Sequence, residues 1–137
     1  MTLEPTGVYL DASALVKLVI GEAETEALRA YLADVPLRYS SRLAATEVRR
    51  AVRRQVERDA ADRVEEVLAT LRIVEFDDDL SRSAAEMGPR GLRTLDAIHL
   101  ASALLVADGL RAVIAYDARL ADASRAAGLE VIAPGAY

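Results

Sequence analysis

The chain has 137 residues, 22 acidic and 17 Lys or Arg, which gives a net charge of −5 and a pI near 4.9. At 53% apolar residues it can bury a core of its own, so disorder is excluded as its main description. Zero cysteines exclude disulfide frameworks, thiolate metal sites and thiol catalysis, and one histidine rules against an imidazole metal cage, so any metal here has oxygen ligands.

The length is that of one domain, expected to span residues 1–137, with no linker, repeat or composition break to divide it. Met1-Thr-Leu-Glu-Pro-Thr-Gly7 lacks the basic and apolar regions of a signal peptide. The longest apolar stretch, around Leu100 to Ala107, is far short of the ~20 residues a membrane span needs. The expectation is a cytoplasmic protein with no membrane partner.

In chain order, Val8-Tyr-Leu10 is a short β-favouring run that ends at Asp11. A helical stretch from about Thr25 to Ala33 follows, then Pro36 and a second strand, Leu37–Ser40. Ser41 is placed to cap a helix in which Leu43, Glu47, Val48, Ala51, Val52 and Val56 share one face, and a second helix, about Ala60 to Leu71, pairs with it. Ile73–Phe76 reads as a third strand, Leu80–Met87 as a helix closed by Gly88-Pro89, and Thr94 as the N-cap of a long helix with Gly109 at its C′ position. Val113–Tyr116, a helix from about Ala118 to Ala127 stopped by Gly128, and Glu130–Ile132 complete the chain. Strands alternating with helices predict an α/β fold with a mostly parallel five-stranded sheet covered on both faces.

In open parallel sheets the ligand crevice lies beyond the carboxyl ends of the strands. Asp11 and Asp117 close the first and fourth expected strands, and both face that crevice. Glu47 and Asp96 interrupt apolar helix faces, where an unpartnered acid is costly to bury. A helix N-terminus favours each by only ~0.3 to 1 kcal/mol, too little to account for them. At an effective dielectric near 20, two unit charges ~4 Å apart repel by ~4 kcal/mol. Four gathered carboxylates must therefore be protonated in part or share a cation. Oxygen donors select Mg²⁺ or Mn²⁺, as one ion or two, and such sites activate water for in-line attack on phosphorus. The plainer alternatives are that Asp11 and Asp117 cap helices and that Glu47 and Asp96 face solvent. Ser13 is either an N-cap or a partner of metal-bound water, His99 a structural or supporting residue beside Asp96, and Asp122 a surface residue rather than a ligand.

The basic residues are uneven: Arg38 to Arg63 carries eight arginines against four acids, about +4, leaving about −9 on the rest. Arg50, Arg54 and Arg58 align at i, i+4 and i+8, next in sequence to Glu47, and with Arg42 form a candidate phosphate-binding face; the alternative is a solvated face.

The order of these acids, in Val8-Tyr-Leu-Asp-Ala-Ser-Ala-Leu-Val-Lys-Leu18, Arg42-Leu-Ala-Ala-Thr-Glu-Val-Arg-Arg-Ala51, Leu92-Arg-Thr-Leu-Asp-Ala-Ile-His-Leu-Ala101 and Tyr116-Asp-Ala-Arg-Leu-Ala-Asp-Ala123, resembles the PIN-domain nucleases, specifically VapC-type toxins of toxin–antitoxin pairs. The resemblance implies an α/β/α sandwich with strand order 3-2-1-4-5. It implies Asp11, Glu47, Asp96 and Asp117 as an acidic quartet binding Mg²⁺ or Mn²⁺, with Ser13 assisting. An RNA substrate, a homodimer and a VapB-like antitoxin laid across the site are implied as well. One departure is Ala115, where members often carry Ser or Thr two residues before the fourth acid. The expected reaction is hydrolysis by water that displaces the 3′ oxygen and leaves a 5′ phosphate and a 3′ hydroxyl. The alternative is a PIN fold that grips RNA or protein without cutting it. A response-regulator receiver is disfavoured because the only lysine is Lys17 and the third strand ends in Phe76-Asp-Asp-Asp79 with no matching partner. A dehalogenase-type phosphatase is disfavoured because Asp11-Ala-Ser13 replaces its Asp-x-Asp.

Overall fold

A computed structural model describes residues 4–54 and 59–136. Met1-Thr-Leu3, together with Val56, Glu57 and Arg58 of the expected arginine-bearing helix face, lies outside the described residues. The chain runs β1 (Gly7–Leu10), α1 (Ala12–Val19), α2 (Thr25–Leu32), β2 (Leu37–Ser41), α3 (Arg42–Arg53), α4 (Ala60–Ala69) and β3 (Arg72–Val74). It continues through α5 (Asp78–Ala85), α6 (Thr94–Leu105), β4 (Leu110–Ile114), α7 (Ala118–Ala126) and β5 (Val131–Ile132). Every strand pair is parallel and the order is β3-β2-β1-β4-β5. That is the expected 3-2-1-4-5 order, distinct from the 2-1-3-4-5 order of receiver-type folds.

The central strand is hydrophobic without interruption because both of its faces are covered, as parallel sheets require. Val8 and Leu10 point to one side, into a core with Leu15, Leu28, Leu32, Val48 and Val64 of α1–α4. Tyr9 points to the other, against Ala103 of α6 and Leu120 of α7. A third cluster, with Val74, Leu80 and Ile98, seats α5 against α6. At Gly7, where the β1–β4 register shifts, a Cβ would stand 2.9 Å from the Gly109 carbonyl oxygen, so only glycine lets the strands close there. Gly128, at φ 91°, stops α7 in the left-handed region. Among the described residues no helix is long and apolar enough to cross a membrane.

Several boundaries differ from expectation for local reasons. The third strand is Arg72–Val74 rather than Ile73–Phe76, because its partner β2 gives way to α3 after Ser41, which pairs with Val74. Phe76 is then left 49% exposed. The following helix starts at Asp78 rather than Leu80, since the Asp77 carboxylate accepts the Leu80 amide at 2.8 Å and caps it. Thr94 is the first residue of α6 and not its cap; Arg93, in extended backbone with no side-chain cap bond, holds that place. Gly109 is not a C′ residue, because a 3₁₀ turn over Ala107–Gly109 carries the chain from α6 into β4. β4 runs over Leu110–Ile114 rather than Val113–Tyr116, since it pairs along the whole of β1 and ends level with Leu10. The last strand keeps only Val131 and Ile132, the residues that reach β4.

Candidate active site

Four elements bring acids to one end of the sheet. Asp11 follows β1 directly, Glu47 lies in the middle of α3, Asp96 in the first turn of α6, and Asp117 at the start of α7. All four line a single cleft of about 290 Å³, together with Ser13, His99, Arg93 and Arg119. The parallel topology does this: each strand delivers its exit loop to the same edge, and helix starts cluster there.

Asp11 is 3% exposed. Its Oδ1 accepts the Ala14 amide at 2.9 Å, capping α1, and the Ser13 hydroxyl at 2.6 Å. Capping and cleft-lining are therefore properties of one residue rather than alternatives. Ser13 Oγ also accepts the Tyr116 amide at 3.0 Å, tying the loop after β1 to the loop after β4. Burial pushes the Asp11 carboxyl up from its ordinary value, with the Ser13 and Ala14 hydrogen bonds opposing. Asp117 likewise caps its helix, Oδ1 accepting the Arg119 amide at 2.9 Å.

Glu47 is gripped from below. Its Oε1 lies 2.8 Å from His99 Nε2, and His99 Nδ1 lies 2.8 Å from the Tyr9 hydroxyl. In the neutral imidazole that fits both contacts, Nε2–H donates to the carboxylate and Nδ1 accepts from the phenol. Burial pushes the Tyr9 phenol up, which keeps it the donor. Tyr9 is fully buried and His99 4% exposed, so the line Tyr9–His99–Glu47 runs from the core to the cleft.

The Asp96 carboxylate accepts no hydrogen bond from the described residues. Burial first, then repulsion from Asp117, raises its carboxyl, while Arg119, His99 and Arg93 oppose the shift. Among the described residues no three acid or histidine side chains are arranged as a finished set of metal ligands. The acids share the cleft, and three of them, Asp11, Glu47 and Asp117, are each engaged by the protein's own donors. The donor chemistry nevertheless suits a hard divalent cation: carboxylate oxygens, no thiol, and the one imidazole already occupied.

The arginines divide differently from expectation. Arg42 is engaged with Glu75, its Nε and Nη2 both on that carboxylate, and Arg49 is held in the same way by Glu65. Arg50 and Arg54 are exposed, three and seven residues beyond Glu47; neither they nor Arg42 line the cleft. Arg93 and Arg119 do. Their signal was in the sequence as proximity, three residues before Asp96 and two after Asp117, and was masked by the denser run in α3.

The family model of the PIN domain matches residues 8–126. Ribonuclease VapC46 of Mycobacterium tuberculosis is 42% identical over 127 residues, covering 93% of this chain and 97% of that protein. Among solved structures, VapC20 of Mycobacterium tuberculosis, described as a sarcin–ricin loop cleaving toxin, superimposes with a TM-score of 0.71 at 20% identity, covering 93% of this chain and 99% of that one. A toxin–antitoxin complex from Klebsiella pneumoniae gives 0.62 at 23% identity, covering 80% and 86%.

Proposed function

The chain belongs to the PIN-domain family, and from that premise we propose that it is a divalent-cation-dependent endoribonuclease, the toxin of a pair whose other member is a VapB-like antitoxin. One observation carries the reading: Asp11, Glu47, Asp96 and Asp117, from four separate elements, meet at one cleft beyond the strand ends. The names of the relatives and the toxin–antitoxin assembly of a structural neighbour support it.

In this reading Asp11, Asp96 and Asp117 would hold Mg²⁺ or Mn²⁺, and Glu47 would add a further carboxylate to the cation or orient the attacking water. The cation, when bound, offsets the crowded negative charge and supplies Lewis acidity to the phosphodiester. Asp11 is aimed by the Ser13 hydroxyl and the Ala14 amide, and Glu47 by His99, so neither carboxylate has to search for its position. Arg93 and Arg119, at the cleft wall, bind the phosphates on either side of the one being cut. Arg50 and Arg54 contact the backbone further out. Water attacks in line, the bond from phosphorus to O3′ breaks, and a 5′ phosphate and a 3′ hydroxyl remain. Ala115 adds no hydroxyl beside Asp117, but Ser13 already occupies the nearby Tyr116 amide, so the loop is held without one.

The acidic cleft would attract a basic segment of the antitoxin. A homodimer belongs to the same proposal, and light scattering checks it. The nuclease reading is tested by incubating labelled total RNA with the purified protein in Mg²⁺, in Mn²⁺ and in EDTA, beside the Asp96→Asn variant. Discrete products lost in EDTA and in the variant are expected. Full activity of the variant would refute the assignment, and protein that binds the cation without cutting any RNA would point to the silent binding module.

A further inference from the structure

Beside the cleft lies a second hollow, of about 390 Å³, that shares Arg93, Asp96 and Arg119 with it. Its size falls at the lower end of small-ligand pockets, ~300 to 1,000 Å³. One wall is α7, which presents Arg119, Asp122, Ala123 and Ala126 at i, i+3, i+4 and i+7; the other is the segment before α6, with Pro89 and Leu92. The two alanines leave the space open, and the facing Leu92 and Pro89 give it apolar walls between the charged Arg93, Asp96, Arg119 and Asp122. Asp122 is 81% exposed, and the Arg125 side chain approaches it no nearer than 4.0 Å, so its oxygens are available to a ligand.

We propose that this hollow is the base subsite for the nucleotide next to the scissile phosphate, and that Asp122 makes it select guanine. The inference rests on the nuclease reading above. The shared arginines place a phosphate at the junction, and a base attached to that nucleotide reaches the slot beside it. An ionised carboxylate only accepts hydrogen bonds, so it matches the base edge with two adjacent donors. Guanine offers N1–H and N2–H side by side; adenine and cytosine pair one donor with an acceptor, and uracil has one N–H between two carbonyls. A basic peptide is the less fitting occupant, because in this hollow Arg93 and Arg119 offset the charges of Asp96 and Asp122, whereas four acids line the cleft.

The test is cleavage of a randomised oligoribonucleotide library in Mn²⁺, with sequencing of the fragment ends, by the wild type and by the Asp122→Asn, Asp122→Glu and Asp96→Asn variants. The expected result is guanine enriched at one position beside the cut. That enrichment falls about tenfold or more in Asp122→Asn, as loss of a bidentate base contact would cause, through slower cutting at guanine sites relative to sites with other bases, and returns in Asp122→Glu. Cleavage that depends on Asp96 while its base preference is the same in Asp122→Asn would overturn the inference and leave the nuclease standing. The same unchanged preference, with hexa-arginine binding lost in Asp122→Asn, would assign the hollow to a protein segment instead. No cleavage by the wild type would overturn the inference together with the reading beneath it.

Discussion

The cleft and the exposed face of α3 are both dense in charge, yet they dispose of it in opposite ways. On α3, Arg42 and Arg49 close bidentate pairs with Glu75 and Glu65 in solvent, where a pair contributes ~0 to 1 kcal/mol. In the cleft, Asp11 and Asp96 are buried with their carboxyls raised, and the arginines beside Asp96 do not cancel the cost. Charge that is neutralised where it stands serves solubility and packing. Charge left uncompensated at the strand ends is, in the proposed reading, offset by a cation that arrives from outside the chain. The contrast extends to how the groups are held: Asp11 and Asp117 cap helices and Glu47 is joined to the buried Tyr9–His99 line, whereas Arg42 and Arg49 pair with acids at the surface.

The comparison breaks most visibly through the acids themselves. Asp96→Asn and Asp11→Asn should each lower RNA cleavage by at least ~100-fold, since even outer partners of a metal ligand cost ~10 to 100-fold when removed; Arg42→Ala in the same assay should stay within about twofold. Next in size is His99→Ala, expected to reduce kcat by ~10 to 100-fold with KM little moved, because Glu47 loses its anchor while the substrate wall is untouched. His99→Gln, which can still donate to Glu47, should recover part of that loss. Arg119→Ala should raise KM by roughly three- to tenfold and flatten the salt dependence, as the loss of one phosphate contact would.

The smallest effect concerns stability. The Asp11 and Asp96 carboxyls are raised from 3.8, so the folded, cation-free protein binds more protons than the unfolded chain above that pH. Its stability should fall as pH rises from about 3.8 through the raised values, and remain lower above them. Asp96→Asn should soften that fall and stabilise the fold at neutral pH by less than about 1 kcal/mol after solvent screening, read as a higher melting midpoint. Thermal melts in EDTA between pH 4 and pH 7 check the sign. Stability that instead increased over this range in EDTA would mean that the acids are compensated within the chain.

The sheet and the acid quartet were legible because each leaves a local mark. Short apolar runs ending in Asp11 and near Asp117 report strand exits, and Glu47 and Asp96 stand out against apolar helix faces. The boundaries were less legible because strand length is set by the partner. β4 extends back to Leu110 since β1 offers Gly7, and β3 stops at Val74 since β2 turns into α3. The substrate wall was hidden for a related reason. Arg42 looks like a phosphate donor until Glu75, thirty-three residues away, folds against it, whereas Arg93 and Arg119 gain their place only when α6 and α7 pack side by side. His99 showed its position beside Asp96 in sequence but not its grip on Glu47, fifty-two residues back.

The most direct measurement is a calorimetric titration of Mn²⁺ into the chelator-stripped protein, repeated with Asp96→Asn and with Arg42→Ala. Binding that is present in the wild type, unchanged in Arg42→Ala and lost in Asp96→Asn is the predicted result. Binding that survives Asp96→Asn undiminished, or no binding by folded wild-type protein, would contradict the claim that the four carboxylates form a cation site.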